Sequence, residues 1–304
     1  MEVKRNQLSG WLYLLPTIIL MLVFTVYPLF RSFFMAFAEN YNYMTDTWTS
    51  IGIENFKIIL GKDSEFLTYL KTTCIIVVIS VPVSVVLSLL IAVGLNSIKK
   101  FTKVYQTIFF MPYVTNSIAI GMVFSVMFAG DKSIVNYVLE LIGIGGRNWL
   151  GGVSAYGNRA TYASQMIVLL IYIVWHSLPF KILVLLSGLQ GIDKQYYQAA
   201  QIDATPKWKT LLRITVPLLS PQILYIMITS FIGAFKEYSS IVGLFKYPGT
   251  SANDYSLYTV VFYVYDQFNS GDLQYAAAAA VLLFIVILIF TAIQFAVSKK
   301  RVHY

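Results

Sequence analysis

The stretch LKTTCIIVVISVPVSVVLSLLIAVGL, Leu70–Leu95, decides the fold. Apart from Lys71 it carries no charged residue, and it is too long for a buried strand. A bilayer core takes about 20 apolar residues as a helix. In lipid every backbone polar group has to be satisfied within the segment, so such a run is a helix. Working outward, five more runs qualify: Trp11–Ala38, Val104–Ala129, Tyr162–Leu186, Ile214–Ala234 and Leu273–Val297. The expectation is an all-α integral membrane protein of about six transmembrane helices, forming a single transmembrane domain over residues 1–304.

Composition agrees. Of 304 residues 58% are hydrophobic and 12% charged, against about 25% charged in a soluble domain. The first run follows Lys4 and Arg5, as a secretory signal would. Its apolar length and the lack of a small-residue cleavage site mark it instead as a retained anchor. The lone Cys74 reads as a small apolar residue of the second run. The net charge of +8 reads as membrane topology and contact with anionic lipid, with no nucleic acid implied.

Orientation follows from the basic residues flanking the spans. Lys4, Arg5, Lys99, Lys100, Lys103, Lys194, Lys207, Lys209, Arg213, Lys299, Lys300 and Arg301 fall on one side. Lys57, Lys62, Lys71, Lys132, Arg147, Arg159 and Lys246 fall on the other. The richer side is cytoplasmic, so both termini are expected there. The outer loops are longer and rich in Gly, Asn, Trp and Tyr, and the last, Val242–Asp272, is mildly acidic through Asp254, Asp266 and Asp272.

The loop 187–213 has helix patterning of its own. Asp193 is a good N-cap for Gln195–Ala204, and Thr205-Pro206 reads as a second cap with proline at the first helical position of a helix through Leu212. Ala199 and Ala200 are small enough for another protein to approach the backbone. Two short helices at a corner suit docking into a groove on a cytoplasmic partner, and an interfacial helix is the other reading.

Three strings in this region carry a resemblance: LQGID at Leu189–Asp193, YQAAQIDAT at Tyr197–Thr205 and ITVPLLSP at Ile214–Pro221. They resemble the EAA loop of binding-protein-dependent ABC importer permeases, most closely the carbohydrate branch of maltose-like and glycerol-phosphate-like permeases. Trp11–Phe37 with Leu15-Pro16 and Tyr27-Pro28, GIENF at Gly52–Phe56 and Phe110-Met111-Pro112 resemble other segments of that family. The resemblance implies a type I ABC importer permease fold with Tyr197, Gln198, Ala199, Ala200, Asp203 and Ala204 coupling to a cytoplasmic ATPase. Gln198 stands where the family usually has Glu, so an ion pair to the ATPase would be absent. Ala204 stands where it usually has Gly, which implies a corner that needs no positive φ.

The resemblance further implies an ATPase dimer, a second permease subunit of different sequence, an extracellular solute-binding protein and a bacterial cell membrane. No Gly-x-x-x-x-Gly-Lys-Ser/Thr phosphate loop is present. ATP and Mg²⁺ are therefore expected on the partner ATPase, with no cofactor, metal or catalytic group in this chain.

Polar groups within spans are the candidates for a substrate path. Tyr113, Asn116 and Ser117 open the third span, His176 and Ser177 lie in the fourth beside Trp175, and Ser230 lies in the fifth. Asn, Ser, His and Tyr suit the hydroxyls and ring faces of a sugar. The resemblance aligns sugar contacts with Tyr113, Ser117, Ile173, Ser177, Ser230, Gly233 and Ala234. Serines could equally bond back to their own helices, Tyr113 could be an interfacial anchor and His176 a packing residue. Arg31 and Lys181 are expected to snorkel or pair, and Lys236 to pair with Glu237. Tyr255, Tyr258, Tyr263 and Tyr265 would face the binding protein or form an aromatic belt. The reading is a permease passing a mono- or oligosaccharide or related polyol. The competing reading, an ion-gradient-driven secondary transporter, calls for internal repeats and a membrane carboxylate. No repeat is evident, and Glu237 is the one candidate carboxylate. A membrane enzyme is disfavoured, because the two histidines, His176 and His303, have no partners at catalytic or metal spacing.

Overall fold

The computed structural model describes residues 2–61, 65–98, 102–130, 132–151, 161–245 and 257–298. Of the residues used above, Lys62, Lys99, Lys100, Asp254, Tyr255, Arg159, Lys246, Lys299, Lys300, Arg301 and His303 lie outside them. The chain divides into two compact units, Met1–Leu67 with Phe262–Ile285, and Thr68–Val261 with Val286–Tyr304. Four helical stretches are long and apolar enough to cross a membrane: Ser9–Phe37, Phe66–Ser97, Tyr162–Gly191 and Leu273–Ser298. Two further pairs are bent, and counting each as one span gives the six expected.

In the first unit α1 (Glu2–Met21) passes through a π turn at Leu22–Val26 into α2 (Tyr27–Phe37). Pro28 has no N–H to give its i−4 carbonyl, and the wider turn, in which Tyr27 N–H donates to Leu22 C=O, absorbs the defect. A hairpin follows, β1 (Ala38–Glu39) antiparallel to β2 (Ser50–Ile51), with Ala38 opposite Ile51. Arg31 is paired: its guanidinium donates to Tyr41 Oη (3.0 Å) and to the Asp46 carboxylate. The Tyr41 hydroxyl, also donating to Asp46, and that guanidinium hold the Asp46 carboxyl below its ordinary range. Helix α3 (Glu54–Leu60) begins within the GIENF string. Asn55 is buried there, and its Nδ2 donates to Ala36 C=O (3.1 Å) and Ala38 C=O (2.9 Å), satisfying the carbonyls left over where α2 ends.

The second unit begins with most of α4 (Phe66–Ser97), then α5 (Thr102–Val114) and α6 (Ser117–Phe128). The third span is therefore not the continuous helix Val104–Ala129. It bends by 98° between Val114 and Ser117. Asn116 causes the break: its side-chain oxygen accepts from the amides of Ile118 (2.9 Å) and Ala119 (3.2 Å), starting a new helix in place of continuing the old one. Two loops predicted to face outward hold helices that hydropathy did not show. The first is α7 (Ile134–Leu141), fixed by buried Asn136, which donates to Arg147 C=O (2.9 Å) and accepts from Trp149 Nε1 (2.9 Å).

The long α8 (Tyr162–Gly191) packs against α5 and α6, and against two later elements introduced below. Next come α9 (Lys194–Ile202), α10 (Lys207–Thr210), a π turn at Leu211–Thr215 and α11 (Val216–Leu218). Helix α12 (Ser220–Phe235) completes the fifth span after a 72° bend. The span Ile214–Ala234 is thus broken too. Pro221 cannot donate to the carbonyl of Pro217 and its ring crowds that carbonyl, so the chain turns at Leu219. Helix α13 (Ser239–Phe245), in the predicted outer loop, lies on α6 at a Gly–Gly contact. A Cβ on Gly121 would sit 2.8 Å from Gly243 Cα, which only two glycines permit. Helix α8 also packs against α12 and α13. Finally α14 (Val260–Ser270) and α15 (Leu273–Ser298) run to the end of the described chain.

Replacing Asn55 by alanine strands two buried carbonyls and is expected to cost about 2 kcal/mol. Thermal unfolding of the purified protein in detergent checks it, and an unchanged midpoint would show that Asn55 does not anchor the hairpin.

Candidate functional site

The predicted substrate residues all belong to the second unit and gather on α5, α6, α8 and α12, with α8 as the common neighbour. Tyr113 is exposed at the end of α5 and stacks on Phe180 of α8, centroids 6.1 Å apart at 20°. Phe180 in turn meets Tyr225 of α12, centroids 6.5 Å apart. This gives a row of three rings across three helices. Sequence reading found only Tyr113. The i,i+3 spacing of Ser177 and Phe180 is the signal that could have placed Phe180 on the same face.

The polar candidates are more committed than their sequence suggests. The Asn116 side-chain oxygen caps α6, which leaves its amide N–H₂ for other partners. Ser117 offers its backbone carbonyl to the buried Tyr172 hydroxyl at 2.6 Å, which fastens α8 to the start of α6. The Ser177 hydroxyl donates to Val174 C=O (2.9 Å) and accepts from Lys181 Nζ (3.0 Å). It can therefore mostly accept from a ligand. Lys181 is buried, does not snorkel, and also donates to Ser84 of α4. His176 stacks on Tyr172 at 5.7 Å, and its Nε2 is buried without a partner. Ile173 and Ala234 are buried, Ser230 is half-buried and Gly233 is exposed, with open space where a Cβ would go.

Glu237 does not pair with Lys236. Its Oε1 accepts from the Ser240 amide (3.0 Å) and hydroxyl (2.7 Å) at the start of α13, and its charge reaches both Tyr172 and His176. The rings of Tyr258 and Tyr263 pack within the chain on Tyr69 and Phe66, while Tyr265 is partly exposed.

In the loop 187–213 Asp193 caps α9, its carboxylate accepting from Gln195 N–H (2.9 Å). Helix α10 starts at Lys207, with Pro206 as its N-cap, one residue later than predicted. The corner between α9 and α10 also differs from expectation. Ala204 has φ of 49°, in the left-handed region. The Thr205 amide donates to Ala200 C=O (2.9 Å) and the Ala204 amide to Gln201 C=O (3.0 Å), the paired bonds of a Schellman end. The geometry demanded a positive φ, and this chain meets it with alanine. The Tyr197 hydroxyl lies 3.2 Å from Thr215 Oγ1, and Ala200 is buried within the chain. Gln198, Ala199 and Asp203 are exposed, so it is this face that α9 offers outward.

Among the described residues four long apolar helices and two bent pairs, up to six spans, with a capped two-helix loop leading into the second bent pair, define a multi-pass membrane protein. Residues 56–304 match the family described as binding-protein-dependent transport system inner membrane component, and the chain belongs to that family. It is 29% identical over 305 residues to the probable ABC transporter permease protein YesP of Bacillus subtilis, covering 100% of this chain and 94% of that protein. It is 29% identical to the lactose transport system permease protein LacF of Rhizobium radiobacter, covering 98% and 96%. It is 28% identical to the sn-glycerol-3-phosphate transport system permease protein UgpA of Agrobacterium fabrum, covering 98% and 97%. Its fold is shared with a chain of a bacterial ABC transporter involved in the import of the acidic polysaccharide alginate, with a TM-score of 0.81, 22% identity and coverage of 98% and 97%.

Substituting glycine for Ala204 removes a left-handed alanine and is expected to stabilise the protein by about 1 kcal/mol. A raised midpoint in thermal unfolding checks it, and Ala204→Val should lower the midpoint. If the ring row lines the path, removing the central ring by Phe180→Ala is expected to cut substrate uptake about tenfold, the worth of one aromatic contact. Unchanged uptake in proteoliposomes would remove the ring row from the path.

Proposed function

We propose that this chain is the transmembrane permease subunit of an ATP-driven importer, forming half of the path for a mono- or oligosaccharide or related polyol. The observation that carries the reading is the ring row Tyr113–Phe180–Tyr225 beside Ser177, Ser117 and His176 on helices packed about α8. Ring faces stack on the weakly apolar faces of sugars, and hydroxyl, amide and imidazole groups meet sugar hydroxyls. The relatives named for lactose and glycerol 3-phosphate support a carbohydrate or polyol cargo.

A second permease subunit of different sequence completes the path, an extracellular solute-binding protein delivers the cargo, and a cytoplasmic ATPase dimer binds ATP and Mg²⁺. Both termini and the loop holding α9 are cytoplasmic. The exposed face of α9, with Gln198, Ala199 and Asp203, seats in the ATPase. Gln198 contributes hydrogen bonds there without charge.

The test is reconstitution of the purified importer in proteoliposomes, with uptake of labelled lactose, maltose, arabino-oligosaccharide and glycerol 3-phosphate measured with ATP inside. One of these should enter only with ATP and its binding protein. Uptake of none, or uptake driven by an ion gradient without ATP, would overturn the proposal. Ala199→Asp places a charge on the docking face and should abolish ATP-driven uptake while the protein still folds. It is a cleaner probe than Ala200→Asp, because Ala200 is buried in the chain's own core.

A further inference from the structure

A cavity of about 850 Å³ lies at the far end of α8, bounded by that helix, the start of α9, α11 and the first turn of α12. Val184, Ser187, Gly191, Asp193, Tyr196 and Gln222 are among its lining residues. Its volume falls within the range of about 300–1,000 Å³ typical of small-molecule sites.

Its place on α8 is informative. Ile173, Ser177, Phe180, Val184, Ser187 and Gly191 recur at spacings of four, three, four, three and four, so they form one stripe along the helix. The upper half of that stripe belongs to the candidate sugar site and the lower half lines the cavity. Phe180 and Ser187 are about 10 Å apart along the axis. The polar complement matches the same chemistry. Gln222 Oε1 is a buried acceptor without a partner, and Ser187, the Tyr196 phenol and the Asp193 carboxylate surround mostly apolar walls. Gly188 lets α8 approach the start of α12 closely beside the cavity: a Cβ there would sit 3.0 Å from Gln222 Cγ and 2.8 Å from Leu219 Cδ2.

The cavity also touches the coupling element. Asp193 is the N-cap of α9 and Tyr196 lies in its first turn. A ligand that hydrogen-bonds to both groups bears directly on the helix that meets the ATPase.

We propose that this cavity is a second carbohydrate site, on the exit side of the path, through which sugar accumulated inside slows the importer by holding α9. The proposal rests on the carbohydrate reading above. It predicts inhibition from the internal face only, and names Gln222, Ser187 and Asp193 as the groups that recognise the sugar.

The experiment uses the whole importer in proteoliposomes loaded with ATP, with or without unlabelled sugar inside. The probes are lactose, maltose and glycerol 3-phosphate, each tested against uptake of its own labelled form. Internal sugar should lower initial uptake about fivefold or more, the scale of ordinary coupling between sites. Gln222→Leu should relieve that inhibition, read within the variant as the ratio of uptake with and without internal sugar. Gly191→Trp fills the cavity, and since a Cβ at Gly191 meets open space it should be accommodated. It should make uptake insensitive to internal sugar, with co-purification of the partner subunits reporting assembly. Active uptake that internal sugar does not slow overturns the second site and leaves the carbohydrate reading standing. Inhibition that persists at full strength in both variants also overturns it. Loss of assembly in Gly191→Trp, with inhibition unchanged in Gln222→Leu, would assign the cavity to a partner subunit and overturn it as well. Absence of uptake for every probe, even from outside, defeats the carbohydrate reading and this proposal together.

Discussion

Hydrocarbon offers the backbone no hydrogen-bond partner, and the shape of this protein follows from where its helices can afford to stop. Each interruption within a span is accompanied by a local substitute. At Pro28 the helix widens into a π turn, so that Tyr27 N–H still finds Leu22 C=O. At Asn116 a side-chain oxygen takes two amides of the next helix. At Leu219 the chain turns just before Pro221, whose missing N–H leaves no donor to satisfy. Two of these breaks bend their spans by 98° and 72°, and the candidate substrate residues Tyr113, Asn116 and Ser117 flank the sharper one. The interruption that costs regular hydrogen bonding also sets the Ser117 carbonyl against the buried Tyr172 hydroxyl.

Much of this was legible beforehand because lipid imposes so simple a rule. Four spans were found with nearly their observed limits, since a run such as Leu70–Leu95 has no alternative structure. The broken spans were missed as broken. Hydropathy is unchanged across Asn116, and only its side-chain geometry distinguishes a cap from a polar residue carried along a helix. Helices α7 and α13 were hidden for the opposite reason. They are short, and they depend on tertiary partners, the Asn136 network and the Gly121–Gly243 contact, that no periodicity records.

The loop 187–213 shows the strength of reading caps and propensities and the limit of reading by resemblance. Asp193, the helix after it and the corner were placed correctly. The inference that alanine at 204 relaxes the corner was wrong, because a backbone requirement is set by the two amides that must reach Ala200 and Gln201, not by the residue that meets it. Within the candidate site, residue types drew attention to helices that pack about α8 but did not show their commitments. Ser177 is already bonded on two sides, Asn116 is a cap, and the ring row needed Phe180 and Tyr225, which a search for polar residues passes over.

Lys181 has a mechanical consequence. Its ammonium, buried between Ser177 on its own helix and Ser84 on α4, is solvated by two hydroxyls at fixed heights. If α4 slid along α8 by one turn, that cation would face hydrocarbon with half its solvation gone, a penalty that in a bilayer runs to about 3 kcal/mol. The Lys181–Ser84 bond therefore favours one vertical register of α4 against α8, and a rearrangement that kept it would carry the two helices together.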